Sequence, residues 1–192
     1  MTAAKHTLSY LAGSRRRGLR YDFGTAKLDS LDLKGYTDAS YADDKLQRRS
    51  TSGYVITVAG TPVSWSTTLQ KLIALSSCES EYYGATNLTK EVIWLQALLQ
   101  ELGYRGGDRL PLPCFSDNQG TIALAKNSVF HARTKHVGVQ GHFVRHHVAA
   151  GTLTLDFLGT DRMPADGLTK ALNKAKFLRF LALVNMENHG KP

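Results

Sequence analysis

The feature that most constrains the fold is a long amphipathic helix, which we predict to begin at Ser77. Ser76 is followed three residues later by Glu79, the spacing of a capping box at a helix N-terminus. One face of the segment then carries an apolar residue at every fourth or third position, until Gly103 stops the helix. These apolar residues are Ala85, Leu88, Val92, Leu95 and Leu99. A helix with one apolar stripe has to pack that stripe against another element.

The same periodicity distinguishes two acidic residues at the start of this helix. Glu81 heads the apolar stripe and is therefore predicted to face the core. Glu79 lies about 200° further round the helix axis, where its side chain is free to complete the cap. If either residue takes part in chemistry above a sheet, we expect it to be Glu81.

Short segments rich in β-branched and aromatic residues surround the helix and predict a sheet. Three antiparallel strands precede the helix and two strands follow it: 31–40, 52–58, 62–66, 111–116 and 152–157. Because a crossover helix separates the third strand from the fourth, the fourth is expected to run parallel to one of the first three. The order predicts an α/β fold in which helices flank a five-stranded mixed sheet, with three antiparallel strands followed by parallel ones.

Weaker helical patterns occupy the rest of the chain. Residues 1–20 predict a short amphipathic helix and a return into a strand, both outside the main unit. A short helix should end near Ala125, and two glycines weaken the helical pattern across 134–150. Pro164 marks the start of a terminal helix, and the apolar run 177–184 closes the chain. The sequence therefore predicts one main domain with an N-terminal appendage.

The composition limits the kinds of partner. Lysine and arginine total 24 against 16 acidic residues, which gives a net charge of +8 and a pI near 9.6. Such a balance favours a polyanionic partner, most simply nucleic acid. The chain has no apolar run of membrane-spanning length and no apolar signal region at its N-terminus, so neither a membrane span nor secretion is expected. Cys78 and Cys114 lack CxxC spacing and fit reduced thiols in an intracellular protein.

Acidic residues fall where the predicted elements would bring them together. Asp38 lies in the first strand, Glu81 in the long helix, Asp117 at the end of the fourth strand and Asp166 at the start of the terminal helix. Carboxylates gathered in this way repel and raise each other's pKa values. Two Mg²⁺ ions about 4 Å apart would relieve the repulsion and form a phosphodiester-cleaving site. Taken alone, Asp38 is more simply read as ending its strand and turning toward solvent.

Short motifs in a fixed order carry a family resemblance. They are 35–42 (GYTDASYA), 49–54 (RSTSGY), 63–65 (VSW), 74–82 (ALSSCESEY), 116–119 (SDNQ), 133–136 (RTKH) and 165–170 (ADGLTK). In these motifs the chain resembles the ribonuclease H domain of copia-type (Pseudoviridae) LTR retrotransposons, the C-terminal part of their reverse transcriptase. Residues 3–21 are similar to the segment that joins polymerase to nuclease in that family. The resemblance implies a connection remnant at 1–30 and a ribonuclease H domain at 31–192.

The resemblance also implies an activity, a cofactor and partners. Its four acids map onto Asp38, Glu81, Asp117 and Asp166, which would hold two Mg²⁺ ions, or Mn²⁺ in their place, and cut the RNA strand of an RNA–DNA hybrid. Asp38 would bridge both ions, Glu81 and Asp117 would hold the ion at the leaving group, and Asp166 would help hold the other. The polymerase part of the same polyprotein is the implied protein partner. The implied location is the cytoplasm, within virus-like particles, or the nucleus.

The resemblance is less specific about substrate contacts, and the chain departs from the family pattern in one loop. Hydroxyl or phosphate contacts are plausible at two turns and one histidine: Ser76, Ser77, Cys78, Asn118, Gln119 and His136. His136 is at least as readily explained as a hydrogen-bonding residue near a helix N-terminus. The loop 159–165 contains no histidine, whereas cellular ribonucleases H commonly use one there to help product leave.

Two rival functions remain open from the sequence. The chain could be a catalytically weak or inactive domain of the same fold that binds nucleic acid or connects other domains. It could also be a nuclease of this architecture with another substrate, such as an integrase-like strand-transfer enzyme or a Holliday-junction resolvase. A comparison of hybrid cleavage with duplex cleavage distinguishes these functions.

Overall fold

A computed structural model of the chain describes residues 2–22, 24, 32–103, 111–127 and 138–188. Its centre is a five-stranded sheet with the strand order β4-β3-β2-β5-β6. The strands are β2 (Leu33–Ser40), β3 (Thr51–Val58), β4 (Thr61–Leu69), β5 (Leu112–Ser116) and β6 (Leu153–Phe157). The pairs β2–β3 and β3–β4 are antiparallel, whereas β2–β5 and β5–β6 are parallel. The predicted fold class is confirmed.

Helices follow the strands in the predicted order. They are α2 (Ser77–Glu101), α3 (Gln119–Lys126), α4 (Gly138–Ala149), α5 (Asp166–Thr169) and α6 (Lys174–Leu183). None of the described helices combines the length and apolarity that a bilayer crossing requires. The terminal region differs from the prediction in one respect, because Asp166 begins a separate four-residue helix instead of the long terminal one.

The long helix forms for the reasons that its sequence predicts. Ser76 caps α2, and its side chain accepts a hydrogen bond from the backbone N–H of Glu79. The predicted stripe faces the sheet: Ala85, Leu88, Val92 and Leu95 are buried, and Leu99 packs partly buried against the same core. These residues meet apolar side chains of the sheet and of two further helices, including Ile56, Leu112, Leu124, Val144, Leu153 and Leu155. The apolar core therefore lies between α2 and the central strands.

The cap differs from the predicted capping box in one contact. Glu79 Oε2 accepts a hydrogen bond from the backbone N–H of Leu75 at 2.6 Å, one residue earlier than the capping-box pattern, and Tyr83 Oη donates to Glu79 Oε1. These contacts bury Glu79, which the helix geometry had predicted to be free to complete the cap. Glu79 thus helps to fix the turn before α2.

The two ends of the chain meet in a second, two-stranded sheet that the sequence did not predict at its C-terminal side. After α1 (Thr2–Ser14), β1 (Arg17–Leu19) pairs antiparallel with β7 (Met186–Asn188). The next residues contact the main sheet, because Thr61 Oγ1 donates to the carbonyl of Arg20 and Tyr21 Oη donates to that of Pro62. The division of the chain at residue 30 stays a prediction.

A glycine lets α2 approach the sheet closely, and this packing is testable. A Cβ atom at Gly84 would lie 2.8 Å from Thr37 Oγ1 and 3.4 Å from the carbonyl oxygen of Asp38. We expect Gly84→Ala to lower the free energy of unfolding by about 1–3 kcal/mol, because overpacking must push α2 away from β2. Urea denaturation of the purified chain measures this.

The matched control is Gly13→Ala, since Gly13 is also helical and has no atom within 4 Å of an added Cβ. We expect this substitution to leave stability unchanged or slightly higher, because alanine has the better helix propensity. A Gly84→Ala chain as stable as the wild type would contradict the close approach.

Candidate metal centre

Asp38 lies inside β2 with none of its surface exposed. It pairs across the antiparallel ladder with Gly53 of β3. A Cβ atom at Gly53 would lie 2.9 Å from Thr169 Cγ2 and 3.0 Å from Leu168 Cβ, so the absence of a side chain there makes room for α5. The helix uses this space to reach the carboxylate, since Thr169 Oγ1 donates a hydrogen bond to Asp38 Oδ2. The carboxylate of Asp38 is therefore buried and compensated by a hydrogen bond, and it does not turn toward solvent.

The parallel pairing of β2 with β5 brings a second acid beside Asp38. Tyr36 and Phe115 are register partners, so Asp38 and Asp117 each come two residues later on neighbouring strands. Asp117 follows the last residue of β5 and is partly exposed. Its Oδ2 accepts a hydrogen bond from Thr160 Oγ1 at 3.0 Å, from the short helical turn after β6.

Glu81 joins these two aspartates from the first turns of α2. The three carboxylates place one oxygen each within 4.8 Å of one another. Glu81 is buried, and its Oε2 has no hydrogen-bond partner among the residues that the structure describes. Burial, together with the negative charges of Asp38 and Asp117, raises the pKa of Glu81 to about 9, although the backbone of Ala39 hydrogen-bonds to it.

The fourth acid, Asp166, is linked to Asp38 by an ion pair that both form with one lysine. Asp166 is buried at the start of α5, and Lys170 Nζ lies 2.5 Å from Asp166 Oδ1 and 3.1 Å from Asp38 Oδ1. Burial raises the pKa of Asp38 despite hydrogen bonds from Thr169 and Lys170. Burial opposes the charge of Lys170, but the hydrogen bonds and negative charges of Asp166 and Asp38 outweigh it and raise the pKa of the ammonium.

Lys170 and Thr169 were not assigned to the site from the sequence. Both belong to a motif that carries the family resemblance, but only its aspartate was given a role. The spacing of Asp166 and Lys170, four residues apart, is the signal that could have indicated an ion pair. Their contact with Asp38 depends on the packing of α5 on β3, which no local pattern reveals.

The donor set suits a hard divalent cation. Mg²⁺ and Mn²⁺ prefer carboxylate oxygens, and an unpartnered oxygen such as Glu81 Oε2 is an available ligand atom. Without a bound metal, three buried or partly buried carboxylates face one another, and within the described part of the chain only Asp38 is paired to an ammonium. The residues therefore fit a metal between Asp38, Glu81 and Asp117, and the identity of the metal stays a prediction.

The predicted substrate contacts lie around two helix N-termini that adjoin each other. Ser76 caps α2, and Asn118 caps α3 through a hydrogen bond that its Oδ1 accepts from the backbone N–H of Thr121. Thr121 Oγ1 donates to the carbonyl of Cys78, which joins the two turns. Ser77 and Gln119 are exposed beside these caps. His136 lies outside the described residues.

Comparison with curated sequences gives consistent relatives. The chain is 43% identical over 157 residues to the retrovirus-related Pol polyprotein from transposon TNT 1-94 of Nicotiana tabacum, an alignment that covers 82% of the chain. It is 37% identical over 186 residues to the corresponding polyprotein from transposon RE1 of Arabidopsis thaliana, covering 97% of the chain. The chain spans 12% of the length of each of these relatives. No protein-family model matches the chain.

Comparison with solved structures gives the fold. LC11-RNase H1, solved in complex with an RNA/DNA hybrid, superposes with a TM-score of 0.51 at 15% identity and covers 71% of this chain and 93% of its own. The N-terminal RNase H domain of a Mycobacterium tuberculosis protein superposes with a TM-score of 0.50 at 14% identity, covering 80% and 99%. The sheet and helices described above are therefore those of the ribonuclease H fold.

The raised pKa of Glu81 predicts how stability depends on pH when metal is removed with EDTA. The raised pKa keeps a proton on Glu81 in the folded chain up to pH about 9, whereas the unfolded chain releases it near the ordinary glutamate pKa of 4.5. Stability should therefore fall as pH rises from 6 to 9, by at most about 1.4 kcal/mol per pH unit from this group. Denaturant unfolding across this pH range measures the slope.

Glu81→Gln should flatten this slope and make the EDTA-treated chain more stable than the wild type at pH 8. Glu91→Gln is the matched control on the same helix, because Glu91 accepts a hydrogen bond from Ser64 away from the acid group. We expect that variant to keep the wild-type slope. Equal slopes in the Glu81→Gln chain and the wild type would contradict the buried, charge-repelled state of Glu81.

Proposed function

Because this chain is a ribonuclease H-fold domain of the family of copia-type retrotransposon Pol polyproteins, we propose that it cuts the RNA strand of RNA–DNA hybrids by metal-dependent hydrolysis. The observation that carries the proposal is that Asp38 of β2, Asp117 after β5 and Glu81 of α2 each place one carboxylate oxygen within 4.8 Å of the others. Folding has little use for such a group, because each carboxylate raises the energy of the others. A cation bound between the three carboxylates would offset their mutual repulsion.

The chain's own residues would divide the work of holding two ions. Asp38, Glu81 and Asp117 would hold one, and Asp38 with Asp166 would hold a second. Bound divalent ions would activate a water molecule and stabilise the negative charge that develops on the phosphate. Glu81 Oε2 has no hydrogen-bond partner among the described residues, so it is available as a ligand of such an ion. Thr169 keeps Asp38 in place through its hydrogen bond, so the ligand at the centre of the site is preorganised.

The turns beside the acid group support binding of the hybrid. Ser77 and Gln119 are exposed where the N-termini of α2 and α3 adjoin, and helix N-termini favour phosphate groups. Selection of RNA would rest on contacts to 2′-hydroxyls across a wide, shallow minor groove. LC11-RNase H1, which shares this fold, is a protein solved with such a hybrid. The net charge of +8 makes the affinity dependent on salt.

One observation favours the competing function, a catalytically weak or inactive domain that binds hybrids or connects other domains. Lys170 already pairs with Asp38 and Asp166, so two of the four acids have a cationic partner without any metal. Such a domain would bind hybrids through its charge and fold without cutting them. The polymerase part of the same polyprotein as partner, and a location in the cytoplasm, in virus-like particles or in the nucleus, are proposals that follow from the family.

A cleavage assay on the purified chain tests the proposal. A hybrid with labelled RNA is incubated with Mg²⁺ or Mn²⁺ beside the matched DNA and RNA duplexes. We expect the RNA strand of the hybrid alone to be cut, and Asp38→Asn to lower the rate about 100-fold or more, because it removes the ligand shared by both halves of the site. Binding of the hybrid should survive this substitution.

The matched control is Asp32→Asn, since Asp32 is exposed, pairs with Lys34 and precedes Asp38 by about 20 Å along the chain. It should cut at the wild-type rate. Retained cleavage in the Asp38→Asn chain would refute the assignment of the site. Salt-sensitive binding without any cleavage by the wild type would favour the binding or connection domain.

A further inference from the structure

The acid group is divided into two unlike halves. In one half, Asp38, Glu81 and Asp117 face one another, and Glu81 Oε2 has no partner among the described residues. In the other half, Lys170 Nζ lies between Asp38 Oδ1 and Asp166 Oδ1, at 3.1 Å and 2.5 Å. Among the residues that the structure describes, no basic side chain pairs with Glu81 or Asp117 in the first half, whereas the second half contains the ammonium of Lys170.

Local structure holds Lys170 in this position. The backbone N–H of Lys170 caps α5 by donating to the carbonyl of Asp166, and the preceding Thr169 is anchored on Asp38. Both carboxylate partners are buried, with side-chain exposures of 0% for Asp38 and 10% for Asp166. This distinguishes the contact from a surface ion pair, which contributes little and breaks easily. Removing one partner of a buried pair leaves an uncompensated charge.

The position of the ammonium also conflicts with the use of these carboxylates for an ion. A divalent cation held by Asp38 and Asp166 would compete with Lys170 for Asp38 Oδ1 and Asp166 Oδ1, which now accept hydrogen bonds from the ammonium. Two cations so close together would repel, because the Coulomb repulsion between like charges grows as their separation falls. The side chain of Lys170 is 38% exposed, so it has space to swing outward.

We propose that Lys170 is an internal cation that occupies the Asp38–Asp166 half of the site and has to be displaced before a divalent ion binds there. The two halves then load in order: the Asp38–Glu81–Asp117 half binds first, and the Asp38–Asp166 half binds more weakly. Lys170 also compensates the acids while no metal is present. The inference rests on the proposed function only in taking these acids as ligands of divalent ions.

Counting bound Mn²⁺ on the free chain tests the order of loading. The electron paramagnetic resonance signal of unbound Mn²⁺ gives the number and affinity of the bound ions. We expect the wild type to bind one ion at least about tenfold more tightly than a second. Lys170→Met keeps the length of the side chain without its charge, and it should tighten the second ion about tenfold to a hundredfold, the usual range of coupling between two ligands.

The matched control is Lys174→Met, which removes the same charge from an exposed lysine at the start of α6. We expect it to bind Mn²⁺ as the wild type does. If Lys170→Met leaves the second ion unchanged, or if Lys174→Met tightens it equally, the proposal is wrong. Melting temperatures add a second readout: Lys170→Met should melt below the wild type in EDTA, and Mn²⁺ should remove the difference. A purely structural role would keep the difference in both conditions.

A measurement on the wild type covers the case in which Lys170→Met does not fold. Acylation of lysine amines, quantified by mass spectrometry, reports whether each ammonium is paired. Saturating Mn²⁺ should raise the acylation rate of Lys170 several-fold and leave that of Lys174 unchanged. An unchanged or lower rate at Lys170 would show that the ammonium is not displaced.

These measurements need no nucleic acid, so they separate this inference from the proposed activity. A chain that loads Mn²⁺ in this order but does not cut hybrids contradicts the proposed function and leaves Lys170 as the internal cation. A chain that cuts hybrids while Lys170 stays unreactive contradicts the inference and leaves the proposed function.

Discussion

Compensation of one buried carboxylate organises much of this structure. Asp38 lies inside the sheet with no exposed surface, where an unpaired charge is costly. Its pairing partner Gly53 leaves the space through which α5 approaches, and Thr169 and Lys170 use that approach to hydrogen-bond both carboxylate oxygens. A four-residue helix that is too short to be stable alone is thus fixed by the charge that it compensates.

Packing of the main elements also brings two other acids close to Asp38. Glu81 is drawn into the group by the apolar stripe of α2, which must face the sheet, and Asp117 by the parallel pairing of β5 with β2. Packing therefore forces carboxylates together that would repel in isolation, and the raised pKa of Glu81 expresses that cost. The energy of the folded core thus holds these carboxylates close together, an arrangement that is compatible with a divalent metal.

Strands from the first and last parts of the described chain pair with each other. β1 pairs with β7, and residues 20 and 21 contact the start of β4, so the segment before the main sheet is attached to it. The relatives are polyproteins of which this chain spans 12%.

The sequence by itself predicted the five strands of the main sheet and the helix that carries Glu81. Capping at Ser76 and the stripe that begins at Glu81 are local, periodic signals. The crossover helix predicts a parallel fourth strand, but its pairing with β2, which places Asp117 beside Asp38, was decided by the tertiary structure. The partner of β1 and the place of Lys170 depended on contacts between residues far apart in the chain. Sequence periodicity reports which face of an element is apolar, because that property is local. Which cation compensates a buried charge is decided only when separate elements pack, since that energy depends on distances across the fold.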